Sequence, residues 1–403
     1  MKQLFVIRRM STIYILVLLY AYVLFNTVYS FQDIKECVIE TMDLTEYTAK
    51  EKIALVESSI EEALYGRYMW VESYGLMQAV MDKDEFENFT IAKDENEELH
   101  YIYFKTQESD VTTILEQTSY LQSIVESSGA EFFYLMPISK IVDGYTTFDT
   151  GIPYADENID MDHFLEGLSQ EEIAYLDLRD AIDESGISYD DRFYDTDHHW
   201  TTYTAFWAFT QVVDYIETSY GYMLDEEDFY TNLEHYNQIH YEQKYLGSLG
   251  RNTGVIYSGV DDFTLIYPKF STNYQYVAMD EEIQIAFENE TFEGALLNLS
   301  AFYGFSNVLD SYDDMYLSYL FGNYGYGHIE NNNIEDGLRV LFIKDSFAVP
   351  VAAFLSTTCS TVDLIDPRSF SGDIEEVIGE GEYDVVILSY SGANLTEEFF
   401  VFN

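Results

Sequence analysis

Asp197, His198 and His199 stand side by side in the stretch FYDTDHHWTTYTAFWAF, Phe193 to Phe209, just before a tryptophan and an apolar run of helical character. The chain has seven histidines in all, so two adjacent ones beside a carboxylate invite a chemical reading. A carboxylate next to an imidazole is the base half of a nucleophilic relay. The carboxylate fixes the ring's tautomer, and the ring takes a proton from a hydroxyl or thiol. The same side chains also suit a metal ion, because imidazole and carboxylate both ligate zinc, although no further ligand sits at a recognisable spacing. A capping or core role is the third reading. The relay reading requires a nucleophile elsewhere in the chain.

The stretch VLFIKDSFAVP, Val340 to Pro350, supplies one. A hydrophobic strand ends at Lys344 and Asp345, Ser346 follows, and a helix begins. Catalytic groups of open α/β sheets sit at the carboxyl ends of strands. There a serine has its oxyanion near exposed backbone N–H groups and the positive end of a helix dipole. Serine is a poor nucleophile until a base removes its proton, which makes an imidazole oriented by a carboxylate its expected partner. Taken alone, Ser346 also reads as a helix N-cap, a position that favours Ser and Asp.

The elements that must position these groups alternate between strand and helix. DVTTILEQTSYLQSIVESSGA reads as a helix ending near Gly129, and EFFYLMPISK as a strand closed by Pro137. Strands are expected near 132–136, 173–177, 340–343, 361–365 and 384–389, with helices over 200–220 and in the segments between the last three. Continuous apolar strands alternating with helices indicate a largely parallel sheet covered on both faces. Residues 221–310 differ: TLIYPKF, YQYVAMD and EEIQIAFEN alternate in the β manner and read as an antiparallel insertion. There is no internal repeat, and with five prolines there is no Pro-rich hinge.

Composition narrows the partners. Nineteen Lys and Arg face 73 Asp and Glu, a formal charge of −54. Nucleic acid, which needs a basic footprint, is excluded as an expected partner. Hydrophobic residues make up 47% of the chain, enough for a large core. The 37 tyrosines suit both core packing and sugar-facing surfaces. The two cysteines, Cys37 and Cys359, show no zinc or redox spacing. No cofactor is expected.

The N-terminal thirty residues read as an export signal. Lys2, Arg8 and Arg9 precede the uncharged run Met10 to Phe31. About 22 residues span roughly 33 Å as a helix, enough to cross a bilayer. The basic flank is expected to stay cytoplasmic and the rest of the chain to be extracytoplasmic. A cleaved signal peptide is the competing reading. Residues 1–31 are thus expected to be a tip and anchor, 32–69 a helical stalk or first helix, and 70–403 the ectodomain.

Together, DTDHHWT, SLGRNTG, YLFGNYG, LFIKDSFAVPVAAFL and VDLIDPRSF resemble the DHHW family. That family is related to the SGNH-hydrolase-like alginate O-acetyltransferases of bacteria. The resemblance covers about residues 70–403, and its first and fourth segments are the more specific. It implies a three-layer α/β/α SGNH-hydrolase-like fold with a Ser-His-Asp triad: Ser346 the nucleophile, His199 the base, Asp197 its orienting carboxylate. The shared pattern is Asp-x-His-Trp, which makes His198 a neighbour and gives Trp200 a packing role. Gly322 and Asn323 are implied as oxyanion donors, with a plain turn as the other reading. Arg251 is implied to bind substrate or orient an acidic residue, and Asp366 with Arg368 forms a structural pair. Lys344 stands where typical SGNH serines have Gly before the Asp.

The implied activity is that of a membrane-anchored O-acetyltransferase or acetylesterase acting on a cell-surface or secreted polysaccharide. A separate membrane acyltransferase would deliver the acetyl group. The strong acidity sits badly with an anionic polymer such as alginate. The alternative is a non-catalytic glycan-binding or scaffold protein of a cell-envelope assembly that keeps the triad-like residues as relics.

Overall fold

The structure, a computed structural model, describes residues 2–43, 52, 53, 56, 60, 63–86, 89–103, 110–280, 284–302 and 314–402. The chain divides into two compact units, one of residues 1–74 and one of residues 75–305 with 312–403. In the first, helix α1 runs from Lys2 to Tyr29 and α2 from Phe31 to Asp43. Within α1, Arg9–Tyr29 is long and apolar enough to cross a membrane by length and composition. Leu16, Val17, Val23 and Leu24 there are all exposed. The remainder of the segment expected to be helical, from 44 to 62, lies largely outside the described residues.

The second unit is built on an eight-stranded sheet. Strands β4 (Glu131–Met136), β5 (Tyr175–Asp177), β11 (Arg339–Lys344), β12 (Thr361–Ile365) and β13 (Val385–Ser389) are mutually parallel. Their residue types explain why they lie inside. Along β11, Val340 and Phe342 enter one apolar core, and Leu341 and Ile343 the opposite one. Val385 and Ile387 of β13 oppose Val386 and Leu388 in the same way. Strand geometry sends successive side chains to opposite faces, so a continuous apolar run must be covered twice.

Helices α3 (Thr112–Ser128), α4 (Glu157–Gln170) and α7 (Ile374–Glu380) cover one face. Helices α5 (Thr202–Tyr220) and α6 (Ala348–Leu355) cover the other. The result is the three-layer α/β/α arrangement. Gly129 ends α3 at φ 89°, a left-handed cap that a side chain rarely adopts.

The antiparallel strands of the 221–310 region divide their allegiance. Strands β6 (Tyr236–Tyr245) and β7 (Asp261–Pro268) form a separate two-stranded ribbon. Strands β8 (Tyr274–Met279) and β9 (Gln284–Glu290) instead extend the main sheet through β10 (Tyr326–Asn331), antiparallel to β12. The order across the sheet is therefore β5-β4-β13-β11-β12-β10-β8-β9. Tyr274, Tyr276 and Ala278 alternate into the core, while one side of β9 faces solvent, as befits an edge. A small sheet of β1 (Glu85–Phe86), β2 (Ile91–Lys93) and β3 (Leu99–Tyr101) completes the described strands.

Strand β11 lies between β12 and β13. The chain leaves β11 through α6 on one face, and reaches β13 through α7 on the other. This reversal of direction is the switch point at which open α/β sheets open a crevice at the carboxyl ends of their strands.

Candidate active site

Ser346 follows β11 by two residues and is half-buried at that crevice. Its Oγ lies 2.8 Å from His199 Nε2. On the other side of the ring, His199 Nδ1 lies 2.7 Å from Asp197 Oδ1. With the proton on Nδ1, the ring donates to the carboxylate and presents the Nε2 lone pair to the serine hydroxyl. The fold thus joins Ser346 to His199, 147 positions away in sequence, and through it to Asp197, in one hydrogen-bonded chain.

Asp197 is fully buried, and both its oxygens accept hydrogen bonds. Oδ1 accepts from the His199 N–H at 3.0 Å, and Oδ2 from the Ser248 N–H at 2.7 Å and the Tyr245 hydroxyl at 2.8 Å. Burial alone would raise this carboxyl. The electrostatic pull of the adjacent imidazoles, His199 before His198, and the donated hydrogen bonds outweigh it and hold Asp197 well below the usual carboxylate range. It is therefore an anion at neutral pH.

The loop carrying Asp197 is held from behind by a residue that the sequence did not single out. Lys140 Nζ donates to the carbonyls of Leu99, Tyr194 and Asp197 at 2.8, 2.7 and 2.8 Å. Lys140 lies four residues beyond the end of β4, on the same edge of the sheet as Ser346. That position, in the pattern strand-Pro-Ile-Ser-Lys, was the signal available.

Trp200 joins the histidine segment to the serine turn. Its indole N–H lies 3.1 Å from both the Phe347 carbonyl and the Tyr316 hydroxyl. Tyr316 stacks on the His199 ring at 4.1 Å between centroids and 13° between planes. The His199 ring is thereby held on one face by Tyr316 and at its two nitrogens by Asp197 and Ser346.

Asp345 organises the turn itself. Its carboxylate accepts from the Phe347 N–H at 3.0 Å, the Ser391 N–H at 2.8 Å and the Asn394 side-chain amide at 2.8 Å. One buried carboxylate thus ties the loop after β13 to the turn after β11. Among the described residues, the N–H of Ser346 has no hydrogen-bond acceptor.

His198 points elsewhere than His199. Its Nδ1 lies 3.0 Å from Ser248 Oγ, and its ring faces Tyr101. Burial, then the neighbouring His199, lower its basicity, leaving it neutral at neutral pH.

Gly322 and Asn323, expected as oxyanion donors, are committed to other partners. The Gly322 N–H donates to the Tyr319 carbonyl at 3.1 Å. The Asn323 amide donates to Asp366 at 2.5 Å and accepts from Lys344 Nζ. Neither lines the cavity at Ser346. The cause is Lys344: a buried cation at the end of β11 needs a partner, and Asn323 provides one. Gly322 sits at φ 124°, so the turn reading of Gly-Asn describes this segment.

Arg251 orients an acidic residue, Asp314, at 2.8 Å. Asp314 in turn accepts from the Tyr316 N–H at 3.1 Å, which steadies the ring stacked on His199. Asp366 and Arg368 pair at 2.6 Å, and Arg368 also lines the Ser346 cavity.

That cavity holds about 150 Å³ and is bordered by Tyr101, Tyr103, Lys140, His198 and Arg368. Among the described residues, two groups of side chains bring metal-ligating atoms within 4.8 Å of one another: Asp197, His198 and His199, and the buried set Asp94, Glu98 and His100. In the first set the relay hydrogen bonds already use the inner atoms of Asp197 and His199.

Known proteins share this arrangement's frame. Residues 149–254 match the family model of an SGNH hydrolase-like domain, that of acetyltransferase AlgX. No curated protein matches the chain. Among solved structures, Bacillus cereus PatB1 bearing a sulfonyl adduct is similar over 78% of this chain and 98% of its own, with TM-score 0.64 and 19% identity. A DHHW family protein from Eubacterium siraeum is similar over 77% of this chain and 94% of its own, with TM-score 0.55 and 15% identity. The SGNH-hydrolase-like fold read from the sequence holds.

Proposed function

We propose that this chain, which carries an SGNH-hydrolase-like domain, is a serine-dependent O-acetyltransferase acting on an extracytoplasmic polysaccharide and held at the membrane by α1. The observation that carries this reading is the unbroken chain Ser346–His199–Asp197, at 2.8 and 2.7 Å. The match to a domain of an acetyltransferase supports the acyl chemistry. The apolar exposed face of Arg9–Tyr29 supports the anchor.

In the first half-reaction, Ser346 Oγ attacks the carbonyl carbon of an acetyl ester while His199 Nε2 takes the hydroxyl proton. Asp197 stabilises the imidazolium that forms. In this reading the Ser346 N–H, which has no acceptor among the described residues, serves as a backbone donor to the oxyanion. The tetrahedral intermediate collapses, His199 returns its proton to the leaving alkoxide, and an acetyl-serine remains. In the second half-reaction His199 takes the proton of a sugar hydroxyl as its oxygen attacks the acetyl-serine; the intermediate collapses, His199 returns the proton to Ser346 Oγ, and the acetylated sugar leaves. Water in place of the sugar makes the same site an esterase, so transfer depends on how well the acceptor excludes water. The acetyl donor is an ester delivered by a separate membrane acyltransferase.

The full-length protein in detergent, given 4-nitrophenyl acetate and an oligosaccharide mixture, is expected to release nitrophenol and acetylate sugar. A sulfonyl fluoride is expected to modify Ser346, detected by mass spectrometry of peptides. Absence of both turnover and labelling would favour the scaffold reading.

The two adjacent histidines separate in the same assay. His198→Ala removes a hydrogen bond to Ser248 and a neutral ring. It is expected to cost less than about tenfold in turnover, the scale of one ordinary hydrogen bond. His199→Ala removes the base and is expected to be far more severe. Equal losses, accompanied by bound metal, would favour metal chemistry at this cluster.

A further inference from the structure

A second cavity adjoins the Ser346 cavity and shares with it the walls Ile138 and Ile141. Its volume is about 350 Å³, within the roughly 300–1,000 Å³ of small-molecule sites. The two are also joined by hydrogen bonds across the shared wall. Ser139, in the second cavity, donates to Glu157 of the first at 2.7 Å, and Asn158 donates to the Ile141 carbonyl at 2.8 Å.

The chemistry of the second cavity is one-sided. Its lining has four carboxylates, Asp143, Asp156, Asp162 and Asp183, against the guanidiniums of Arg179 and Arg192. Both guanidiniums are already neutralised: Arg179 pairs with Asp162 and Asp177 at 2.8 Å each, and Arg192 with Asp183 at 2.7 Å. Among the described residues Asp143 and Asp156 pair with no cation; Asp156 Oδ1 caps α4 by accepting from the Asn158 N–H and side-chain amide at 3.0 and 2.9 Å, which leaves its Oδ2 toward the cavity's ligand. The open wall thus offers carboxylate oxygens, the acceptors to which sugar hydroxyls and ammonium groups donate.

We propose that this cavity is a second sugar subsite, holding the unit next to the one acetylated, and that it takes neutral or amino-bearing sugars and rejects uronates. The inference rests on the acetyltransferase reading and adds the acceptor's path and chemical class. A hydroxyl or an ammonium is satisfied by Asp143 and Asp156. A uronate carboxylate placed there meets like charge, and like-charge juxtaposition is a strong device for rejecting a wrong partner.

The test uses the full-length protein in detergent, with three tetrasaccharides as probes: cellotetraose, chitosan tetramer and tetragalacturonate. Binding is measured by calorimetry, which does not depend on turnover. Acetyl transfer to the same probes and to the matching monosaccharides is measured in parallel. Cellotetraose or chitosan tetramer is expected to bind at least roughly tenfold tighter than tetragalacturonate. Ile159→Trp, which fills the cavity from an exposed position, is expected to raise KM for the tetramer about tenfold and leave the monosaccharide and 4-nitrophenyl acetate unaffected. Asp143→Lys is expected to narrow the preference against tetragalacturonate. Equal binding of the three tetramers, or equal effects of Ile159→Trp on monomer and tetramer, would overturn the subsite. Selective tetramer binding without any ester turnover would retain the subsite and reject the acetyltransferase reading.

Discussion

Ser346→Ala is expected to reduce acetyl transfer and ester cleavage by more than about 10³-fold and to abolish sulfonyl labelling. In the proposed mechanism its hydroxyl forms the covalent bond, and among the described residues no second hydroxyl or thiol lining the cavity is hydrogen-bonded to His199. The Ser391 side chain borders the same cavity, but its N–H is tied to Asp345 and its loop follows a different strand. The substitution removes one hydrogen bond at a half-buried position, so folding is expected to change by about 0.5–1.5 kcal/mol at most. A melting temperature close to that of the wild type, with turnover gone, separates loss of the nucleophile from loss of the fold. Wild-type turnover in Ser346→Ala would remove the relay reading altogether.

What marked these residues out in the sequence was local. The strand VLFI, the residues Asp345 and Ser346 and the helix after them are contiguous, and strand-to-helix junctions on a parallel sheet have a known polarity. Asp197 and His199 were legible for the same reason, their relation spanning two positions. The five parallel strands were readable because burial on both faces leaves an unbroken apolar run.

The supporting groups were not readable, because they come from far along the chain. Tyr245 reaches Asp197 across 48 positions and Lys140 across 57. Nothing in KYLGSLG says that its tyrosine will meet a carboxylate in DTDHHW. Gly322 and Asn323 show the opposite hazard. Gly-Asn signals a turn, and a turn near a catalytic edge is easily taken for an oxyanion hole. Which partner the amide finds was decided by Lys344, whose burial demands an acceptor that a glycine at that position would not. The joining of β8 and β9 to the main sheet depended on β10, whose residues YGHIEN carry too little apolar alternation to announce a strand.

Asp197→Asn is expected to lower turnover about 10⁴-fold while leaving Ser346 and His199 in place. The carboxylate accepts on both oxygens, and an amide cannot. Oδ2 faces two donors, the Ser248 N–H at 2.7 Å and the Tyr245 hydroxyl at 2.8 Å. The amide therefore settles with its oxygen toward them and its NH2 toward His199. That NH2 needs an acceptor, and His199 Nδ1 becomes one by moving its proton to Nε2. Nε2–H then points at Ser346 Oγ, and the base has no lone pair with which to take the serine proton. The pH profile distinguishes this from simple loss of structure. Asp197 is held well below the usual carboxylate range, so its contribution to stability is present above its unfolded value of about 4 and is lost as pH falls through the lower folded value. Over the neutral range it is constantly charged. The Asp197→Asn substitution is thus expected to lower the rate plateau, with a tautomer change visible as an altered His199 ring ¹⁵N shift. A profile of unchanged height, or unchanged His199 nitrogen shifts, would show that the carboxylate does not set the tautomer of the base.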